Sequence, residues 1–505
     1  MAAHPQSQRQ EVADQPYAAL DLGSNSFHLI VAHDHDGRLQ VVDRHKEMVR
    51  IAEGLTEANE LSATVAARSL ACLKRFGQRI RHLPRHHVRI VGTNALRQAR
   101  NSRDFIDAAE DVLGHRVEII SGREEARLIY LGVSHSLEDQ FDSRLVVDVG
   151  GGSTELILGR QFQPRLMESL YMGCVSMSAR HFANDAIDAT RFARAETAAR
   201  QELEVIEEIY RARGWDTAIG SSGTLIAIHD AIVELTGVHG ITSDGLAALK
   251  DRLLAAGRTD GLDLLAVDEE RAPVFPGGVA IVAATFESLG IREMTVSDGA
   301  LREGLLHDLL GRVHAQDIRD ATVADLIERY HIDEPHGRRV ASTAARILEQ
   351  GGWQLTGFGA RRLLRWAAML HEIGMDIAHS QYHKHGGYLL DNMDLPGFSR
   401  SEQHHLSIIV RGHRRKFPIE EFRHAPQMVA LCVLLRLATV LHRARSDQVL
   451  PRFSVTAKDG LAPGGEVRLA FPRKWLAEHP LTKLDLEQEA DYLSAIPLKL
   501  KVSVR

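Results

Sequence analysis

Asp21-Leu-Gly-Ser-Asn-Ser-Phe-His-Leu-Ile30 and Asp148-Val-Gly-Gly-Gly-Ser-Thr-Glu-Leu-Ile157 are two distant segments built on one pattern. Each has an Asp, an aliphatic residue, a Gly, two small or polar residues, a Ser, two further residues and then Leu-Ile. Apolar residues precede both, so each segment predicts a strand that enters a tight turn and leaves as a second strand. A repeated unit of this kind indicates two similar halves within the chain.

The two predicted turns suit the binding of phosphate. Backbone N–H groups in such a turn can bind an anion, and glycine lets a phosphate approach without an intervening side chain. The Asp at the end of each strand offers the oxygen ligands that Mg²⁺ prefers. A single Asp-Gly turn has a purely conformational explanation, but two matched copies favour a cleft that grips a phosphate chain.

The composition limits the class of protein. A chain of 505 residues is too long for one core and predicts several domains, and a net charge of −6 gives no overall attraction to nucleic acid, so we expect no such partner. The three cysteines, Cys72, Cys174 and Cys432, lack CxxC spacing and favour a reducing, cytoplasmic location. The N-terminus lacks the apolar region of a signal peptide. We expect no membrane-spanning segment, and peripheral membrane contact is left open.

Strand and helix patterns divide the chain into four parts after a polar N-terminus, residues 1–16, that we expect to be disordered. Residues 17–142 alternate strands with helices, and residues 143–310 begin the same cycle again. Residues 311–447 are nearly all amphipathic helix, and residues 448–505 return to short strands. We therefore predict an α/β fold of two duplicated domains with a cleft between them, followed by an all-α domain and a small α+β domain.

Three further polar segments have the sequence of phosphate-binding turns. Gly92-Thr-Asn-Ala-Leu-Arg97 and Gly220-Ser-Ser-Gly-Thr224 each follow a predicted strand and open a helix, whose N-terminal amides and dipole can receive an anion. Ser297-Asp-Gly-Ala-Leu-Arg302 adds a carboxylate and a guanidinium near the end of the second half. Each alone is typical of a capped helix start, but their occurrence in both matched halves favours phosphate binding.

Ile119-Ile-Ser-Gly-Arg-Glu-Glu-Ala-Arg-Leu128 contains the best candidate for a catalytic base. Ser121 and Glu124 have the spacing of a capping box, in which Glu124 reaches back to the Ser121 amide. That assigns Glu124 a structural role and leaves Glu125 free. A carboxylate in the first turn of a helix is stabilised as the anion, so Glu125 can deprotonate an attacking water. The chain has no Walker motif and no nucleophile elbow, which favours direct hydrolysis by water.

These segments together resemble the exopolyphosphatase/guanosine pentaphosphate phosphohydrolase family. The resemblance covers the first 310 residues and implies two ribonuclease-H-like domains of the actin-like ATPase superfamily. It also implies Glu125 as the catalytic base and Asp148 and Glu155 as ligands of Mg²⁺. The phosphate-binding residues that it implies are Asp21, Ser24, Asn25, Ser26, Thr93, Asn94, Arg97, Gly150, Gly151, Gly152, Ser153, Gly220, Ser221, Ser222, Gly223, Thr224 and Arg302.

The helical part resembles the HD-like third domain of the long bacterial exopolyphosphatases. His336 and the pair His371-Glu372 fit that pattern, but Glu372 stands where Asp is usual and Thr439 where the last ligand Asp is expected. These two changes argue against an independent metal centre. The same part is rich in cations that a polyphosphate chain could follow, and the predicted channel residues are His383, His385, Arg411, His413, Arg414, Arg415 and Lys416.

The main expectation is therefore an exopolyphosphatase that releases terminal phosphate from inorganic polyphosphate processively and requires Mg²⁺. The alternative is a guanosine pentaphosphate phosphohydrolase, or both activities, because the two reactions share one geometry of attack. An ATP-binding kinase-like or chaperone-like module is a third hypothesis, although no acceptor site or adenosine pocket is recognisable. An inactive polyphosphate sensor is a fourth, and intact Glu125, Asp148 and Glu155 argue against it. The resemblance also implies a homodimer.

Overall fold

The structure is a computed structural model that describes residues 15–35, 38–56, 58–137, 142–313, 317–353, 359–458, 465–496 and 498–505. The expectation for residues 1–16 lies almost wholly outside these residues. The chain forms two compact units, the first ending at residue 316 and the second beginning at Asp317.

The first half of the first unit is a five-stranded sheet with four helices. Its strands are β1 (Tyr17–Leu22), β2 (Phe27–His35), β3 (Arg38–Glu47), β4 (Val88–Gly92) and β5 (Val117–Ile119). Its helices are α1 (Ala63–Ile80), α2 (Asn94–Gln98), α3 (Ser102–Leu113) and α4 (Gly122–Ser136). The apolar alternation of β1 continues into a core of Leu20, Leu22, Phe27 and Leu29, all almost fully buried.

The second half has a six-stranded sheet and six helices. Its strands are β6 (Ser143–Val149), β7 (Thr154–Arg160), β8 (Gln163–Leu170), β9 (Thr217–Ser221), β10 (Ile241–Thr242) and β11 (Glu293–Val296). Its helices are α5 (Cys174–His181), α6 (Ala189–Arg213), α7 (Ser222–Thr236), α8 (Ser243–Ala256), α9 (Phe275–Leu289) and α10 (Leu301–Val313).

The two sheets share one order of strands. The first runs β3-β2-β1-β4-β5, and the second runs β8-β7-β6-β9-β11 with β10 added at its edge. In both, the first three strands are antiparallel and the next two are parallel. Both predicted hairpins are present, with Asp21 opposite His28 and Asp148 opposite Glu155. The repeated sequence pattern therefore forms the same element at the same place in each sheet.

Helices α4 and α10 form an apolar core that both halves share. Leu128 and Ile129 of α4 and Leu305 of α10 are buried in one cluster with Ile30 of the first sheet and Val146 of the second. Close approach is enforced by glycine, since a Cβ at Gly304 of α10 would lie 1.8 Å from the carbonyl oxygen of Leu128. The predicted boundary at residue 310 thus cuts through α10, which ends at Val313.

A buried ion network fastens these helices to the first sheet. Asp308 of α10 accepts hydrogen bonds from Arg89 of β4 at 2.6 Å and Arg127 of α4 at 2.5 Å. Arg127 also donates to both carboxylate oxygens of Glu124, at 2.8 and 2.9 Å. Burial alone raises the pKa of Asp308, but Arg127, Arg89 and Arg312 hold it well below its usual value. The carboxylate is therefore ionised at neutral pH, and its contribution to stability is lost only in strong acid.

The second unit is mainly helical and has one small mixed sheet. Its helices are α11 (Ile318–Arg329), α12 (Glu334–Gln350), α13 (Ala360–Leu370), α14 (Tyr382–Asn392), α15 (Arg400–Gly412), α16 (Met428–Leu441), α17 (Arg473–Glu478) and α18 (Pro480–Leu493). Its strands are β12 (Ser454–Lys458), β13 (Glu466–Phe471) and β14 (Lys499–Val504), in the order β12-β13-β14. One hydrophobic cluster contains residues from both the predicted third domain, 311–447, and the predicted fourth domain, 448–505. The two predicted domains therefore share a single core.

Short 3-10 turns complete the described secondary structure, at Ile51–Gly54, Arg85–His87, Ala183–Asp185, Thr259–Gly261, Ala272–Val274, Ile373–Asp376 and Ile419–Phe422. One described segment, Ala272–Leu289, is long and apolar enough to span a bilayer by its length and composition. Since 72% of it is buried inside the fold, we assign it as the core helix of the second half.

The predicted polyphosphate channel needs correction at two of its seven residues. His383 and His413 are buried in the second unit rather than exposed. Burial lowers the pKa of His383 to about 4 and that of His413 well below its usual value. Both imidazoles are neutral at pH 7 and cannot supply the expected positive charge. Arg415 and Lys416 are exposed, His385 and Arg414 are partly exposed, and Arg411 pairs with Glu421 at 2.7 Å.

The ion network predicts a large loss of stability for Asp308→Asn. Removing one partner of a buried ion pair leaves the arginines uncompensated and costs about 3–5 kcal/mol. Urea unfolding followed by circular dichroism measures the effect. The matched control is Glu287→Gln, which breaks an exposed pair with Arg200 and is expected to cost less than about 1 kcal/mol. Equal stability of the two variants would contradict a structural role for the network.

Candidate active site

The two hairpin turns face each other within the first unit and line one cavity of about 390 Å³. A Cβ at Gly151 in the second turn would lie 3.2 Å from the Cβ of Ser24 in the first. A Cβ at Gly152 would lie 2.9 Å from Oδ1 of Asn94. Because larger residues would push the turns apart, the glycines allow both to border the same cavity.

Three carboxylates from the two hairpins lie at this cavity or directly behind it, and of these Asp148 and Glu155 are buried while Asp21 is half-buried. Asp21 is the second-last residue of β1, Asp148 is the second-last residue of β6, and Glu155 is opposite Asp148 in the hairpin. The pKa of Asp148 is raised to about 6, because burial and the charge of Glu125 together outweigh the lowering by Ser221 and Arg302. Burial and the charge of Glu125 likewise raise the pKa values of Asp21 and Glu155 well above their usual values. The site thus concentrates negative charge that a cation would stabilise.

The donor atoms at this cluster are those that a hard divalent cation prefers. Oδ1 of Asp21 and Oδ1 of Asn25 are buried without a hydrogen-bond partner, and buried polar atoms are normally paired. Asp21 and Asp148 border the cavity, whereas Glu155 lies behind it and accepts a hydrogen bond from Ser169 at 2.7 Å. Asp21 and Asp148 could therefore hold a cation directly, with Glu155 next to them.

Glu125 lies in the first turn of α4 and borders the same cavity. Nη1 of Arg97 donates to the Glu125 carboxylate at 2.7 Å and to the carbonyl of Ile120 at 3.0 Å. Ser121 caps the helix by accepting from the Glu124 amide at 3.1 Å, which is half of the predicted capping box. The structural role of Glu124 is present through its ion pair with Arg127. Of the two neighbouring residues Glu124 and Glu125, therefore, Glu125 is the one whose carboxylate faces the cavity.

Most of the predicted phosphate-binding residues line the cavity. Those that do are Asp21, Ser24, Asn25, Ser26, Thr93, Gly150, Gly151, Ser153, Ser222, Gly223, Thr224 and Arg302. The other five predicted residues are not among those that line the cavity, and each has a contact within the protein. Asn94 accepts from Gln98, Arg97 holds Glu125, Ser221 donates to the carbonyl of Gly299, Gly152 packs on Asn94, and Gly220 packs against Leu225 and Met294.

Cations that the sequence reasoning missed also border the cavity. Lys46 of β3 lies opposite His28 of β2, and His28 lies opposite Asp21 of β1. The three residues therefore form one row across three neighbouring strands. Partial burial lowers the pKa of Lys46, and the nearby charges of Arg271 and Arg302 lower it further. Burial lowers the pKa of His28 to about 3, so His28 is neutral. The period-2 alternation of β3 was the only available signal for Lys46.

Comparison with known proteins identifies relatives along nearly the whole chain. The Ppx/GppA phosphatase family matches residues 30–313, and Ppx/GppA phosphatase domain III matches residues 318–490. A guanosine-5′-triphosphate,3′-diphosphate pyrophosphatase of Aeromonas hydrophila is 39% identical over 482 residues, which are 94% of this chain and 96% of the relative. The enzyme of that name from Vibrio cholerae is 39% identical over 503 residues, or 98% of this chain and 99% of the relative.

A solved structure supports the fold of the first unit. The Aquifex aeolicus PPX-GPPA enzyme is 27% identical, with a TM-score of 0.50, and covers 58% of this chain and 99% of its own. The names of the two long relatives contradict the expectation of an exopolyphosphatase. They agree with the alternative that the sequence had left open.

Proposed function

Since the chain belongs to the Ppx/GppA phosphatase family, we propose that it hydrolyses the terminal phosphoanhydride bond of guanosine 5′-triphosphate 3′-diphosphate. The products are guanosine tetraphosphate and inorganic phosphate. The observation that carries the proposal is one cavity in which a helix-start carboxylate, Glu125, lies among two glycine turns and the carboxylates of Asp21 and Asp148. The names of relatives that match almost end to end support the nucleotide as substrate.

Glu125 is the proposed general base. Arg97 fixes its orientation, and a water molecule between Glu125 and the terminal phosphate gives up its proton to the carboxylate as it attacks phosphorus. The bond from phosphorus to the bridging oxygen then breaks, and the shortened nucleotide leaves. Amides of the two turns stabilise the charge that develops on the phosphate oxygens.

The fit of the carboxylates to Mg²⁺ supports a requirement for that ion. Asp21 and Asp148 would hold it with Glu155 beside them, and all offer oxygen, the ligand that Mg²⁺ prefers. When bound, the ion neutralises phosphate oxygens and so lowers the barrier to attack. We propose that the protein requires Mg²⁺, forms a homodimer and acts in the cytoplasm.

Positive charge at the cavity suits a nucleotide that carries phosphate on two positions of its ribose. The glycine turns account for one phosphate chain, and Lys46, Arg271 and Arg302 form a second group of charges around the same cavity. Nη1 of Arg271 donates to the carbonyl of Gly223 at 2.5 Å, which fixes its guanidinium beside the turn. We assign Lys46 and Arg271 to the 3′-diphosphate.

Glu125→Gln tests the reaction and the base together. The wild-type protein is expected to release phosphate from guanosine pentaphosphate faster than from long polyphosphate or ATP. The variant keeps the shape of the side chain but cannot accept the proton, so kcat should fall about 10²–10⁴-fold with little change in KM. Asp104→Asn is the control, because Asp104 is an exposed first-turn carboxylate of α3. Faster turnover of polyphosphate would contradict the substrate, and normal turnover of the variant would contradict the base.

Lys46→Gln tests the assignment of the 3′-diphosphate. Losing one charge-assisted hydrogen bond should lower kcat/KM for guanosine pentaphosphate about 10-fold. GTP lacks the 3′-diphosphate, so its kcat/KM should change little. Arg68→Gln removes a cation at an exposed pair with Glu53 and serves as the control. Equal losses on both nucleotides would show that Lys46 does not distinguish them.

The raised pKa of Asp148 predicts that Mg²⁺ binds less tightly in acid. Below its pKa of about 6, Asp148 holds a proton that the ion must displace. Isothermal titration calorimetry should therefore find affinity about 10-fold weaker at pH 5.0 than at pH 7.5 from this group alone. Circular dichroism at both pH values controls for unfolding. The same affinity at both pH values would argue against Asp148 as a ligand.

A further inference from the structure

A second cluster of possible metal ligands lies in the second unit, made of His336, His371 and Glu372. His336 is in the first turn of α12, and the other two directly follow α13. One ligand atom from each lies within 4.8 Å of the others, and all three residues are buried. Oε1 of Glu372 is 3.9 Å from Nε2 of His336 and 3.8 Å from Nε2 of His371. Both imidazoles thus point a nitrogen at one carboxylate oxygen.

Hydrogen bonds to backbone carbonyls fix which ring nitrogen of His371 and of His413 keeps a lone pair. Nδ1 of His371 lies 2.7 Å from the carbonyl oxygen of Ala368. A carbonyl can only accept, so Nδ1 carries the proton and Nε2 has the lone pair. His413, whose ring centroid is 5.2 Å from that of His371, repeats this arrangement with the carbonyl of Val410. Its Nε2 is buried without a partner, although the residue is only 2% exposed.

This pattern is typical of metal sites, in which a histidine donates its second N–H to a backbone carbonyl and thereby fixes the ligating nitrogen. The unpartnered Nε2 of His413 is a buried acceptor that hydrogen bonding alone does not explain. We propose that His336, His371 and Glu372 bind one divalent transition-metal ion, with His413 as a further nitrogen ligand. Two imidazoles and a carboxylate select Zn²⁺, Co²⁺, Ni²⁺ or Fe²⁺ rather than Mg²⁺, which prefers oxygen.

The changes that argued against a metal centre in the sequence have a different meaning in the structure. Glu372 replaces an Asp but still brings its carboxylate to both histidines. Thr439 does not take part, because its hydroxyl donates to the carbonyl of Arg436 in its own helix at 2.9 Å. The nitrogen of His413 offers a ligand that the motif alone did not indicate.

Arg445 competes with the ion for Glu372. Its Nη2 lies 2.5 Å from Oε1, the same oxygen that faces the two histidines. A metal can use that oxygen only if the guanidinium leaves it, and the Arg445 side chain is 43% exposed, so it can turn into solvent. The affinity of the site is therefore set by a balance between arginine and metal, and removing the arginine should strengthen binding.

Co²⁺ titration of the full chain in excess Mg²⁺ tests the proposal, because Mg²⁺ fills the oxygen site of the first unit. The wild-type protein should bind one Co²⁺ per chain with visible d–d absorption, and Asp148→Asn should bind it equally. His371→Ala should weaken binding more than 10-fold, while Arg445→Gln should strengthen it about 10-fold. His404→Ala is the control, since His404 is half-exposed and pairs with Asp391.

If His371→Ala fails to fold, Glu372→Gln provides a second variant for the same Co²⁺ titration. Its amide keeps the size of the side chain but is a poor metal ligand. It too should weaken Co²⁺ binding more than 10-fold. No Co²⁺ bound by the wild-type protein in excess Mg²⁺, unchanged affinity in a folded cluster variant, or weaker binding by Arg445→Gln would each overturn the proposal.

Discussion

The packing of α4 between the two sheets is the constraint on which the active site depends. Glu125 sits in the first turn of this helix, so its position is fixed only as well as the helix is. Apolar contacts hold the body of α4 against both halves, and the buried pairs of Arg127 with Glu124 and Asp308 fix its rotation. A helix free to rotate by one residue would turn Glu125 away from the cavity, since successive side chains diverge by about 100°. The interior salt bridges thus fix the orientation of the helix, and removing one partner would leave buried charges uncompensated.

The cavity holds its carboxylates in an unfavourable state. Asp148 and Glu155 are buried and Asp21 is half-buried. Burial and the charge of Glu125 raise the pKa values of all three carboxyl groups. Such repulsion costs free energy that the core of the two halves has to offset. A bound cation reverses the sign of this interaction, because the same charges then stabilise it. The raised pKa values of these carboxyl groups thus support the proposed complex of protein, cation and phosphate.

Local patterns predicted much of this architecture. The two hairpins, the helix at Glu125 and most cavity-lining residues follow from strand alternation, glycine turns and capping residues. The sequence could not indicate that α10 returns to pack on α4, because that contact joins residues far apart in the chain. It also misassigned His383 and His413, since a histidine in a basic segment looks exposed until its helix is packed. The hydrogen bond that Arg97 donates to Glu125 was likewise not visible in the sequence, which predicted Arg97 only as a phosphate-binding residue.

The catalytic residues themselves cannot distinguish a polymer from a nucleotide. Attack by water on a terminal phosphate needs the same base, turns and carboxylates whatever lies beyond the bond that breaks. Selectivity must come from groups that contact the rest of the substrate, and the charges that border the cavity, such as Lys46 and Arg271, are the ones that we propose for this role. They lie on strand β3 and on a loop that no motif marks. Motifs therefore predicted the reaction, whereas the choice of substrate depends on residues brought to the cavity only by the fold.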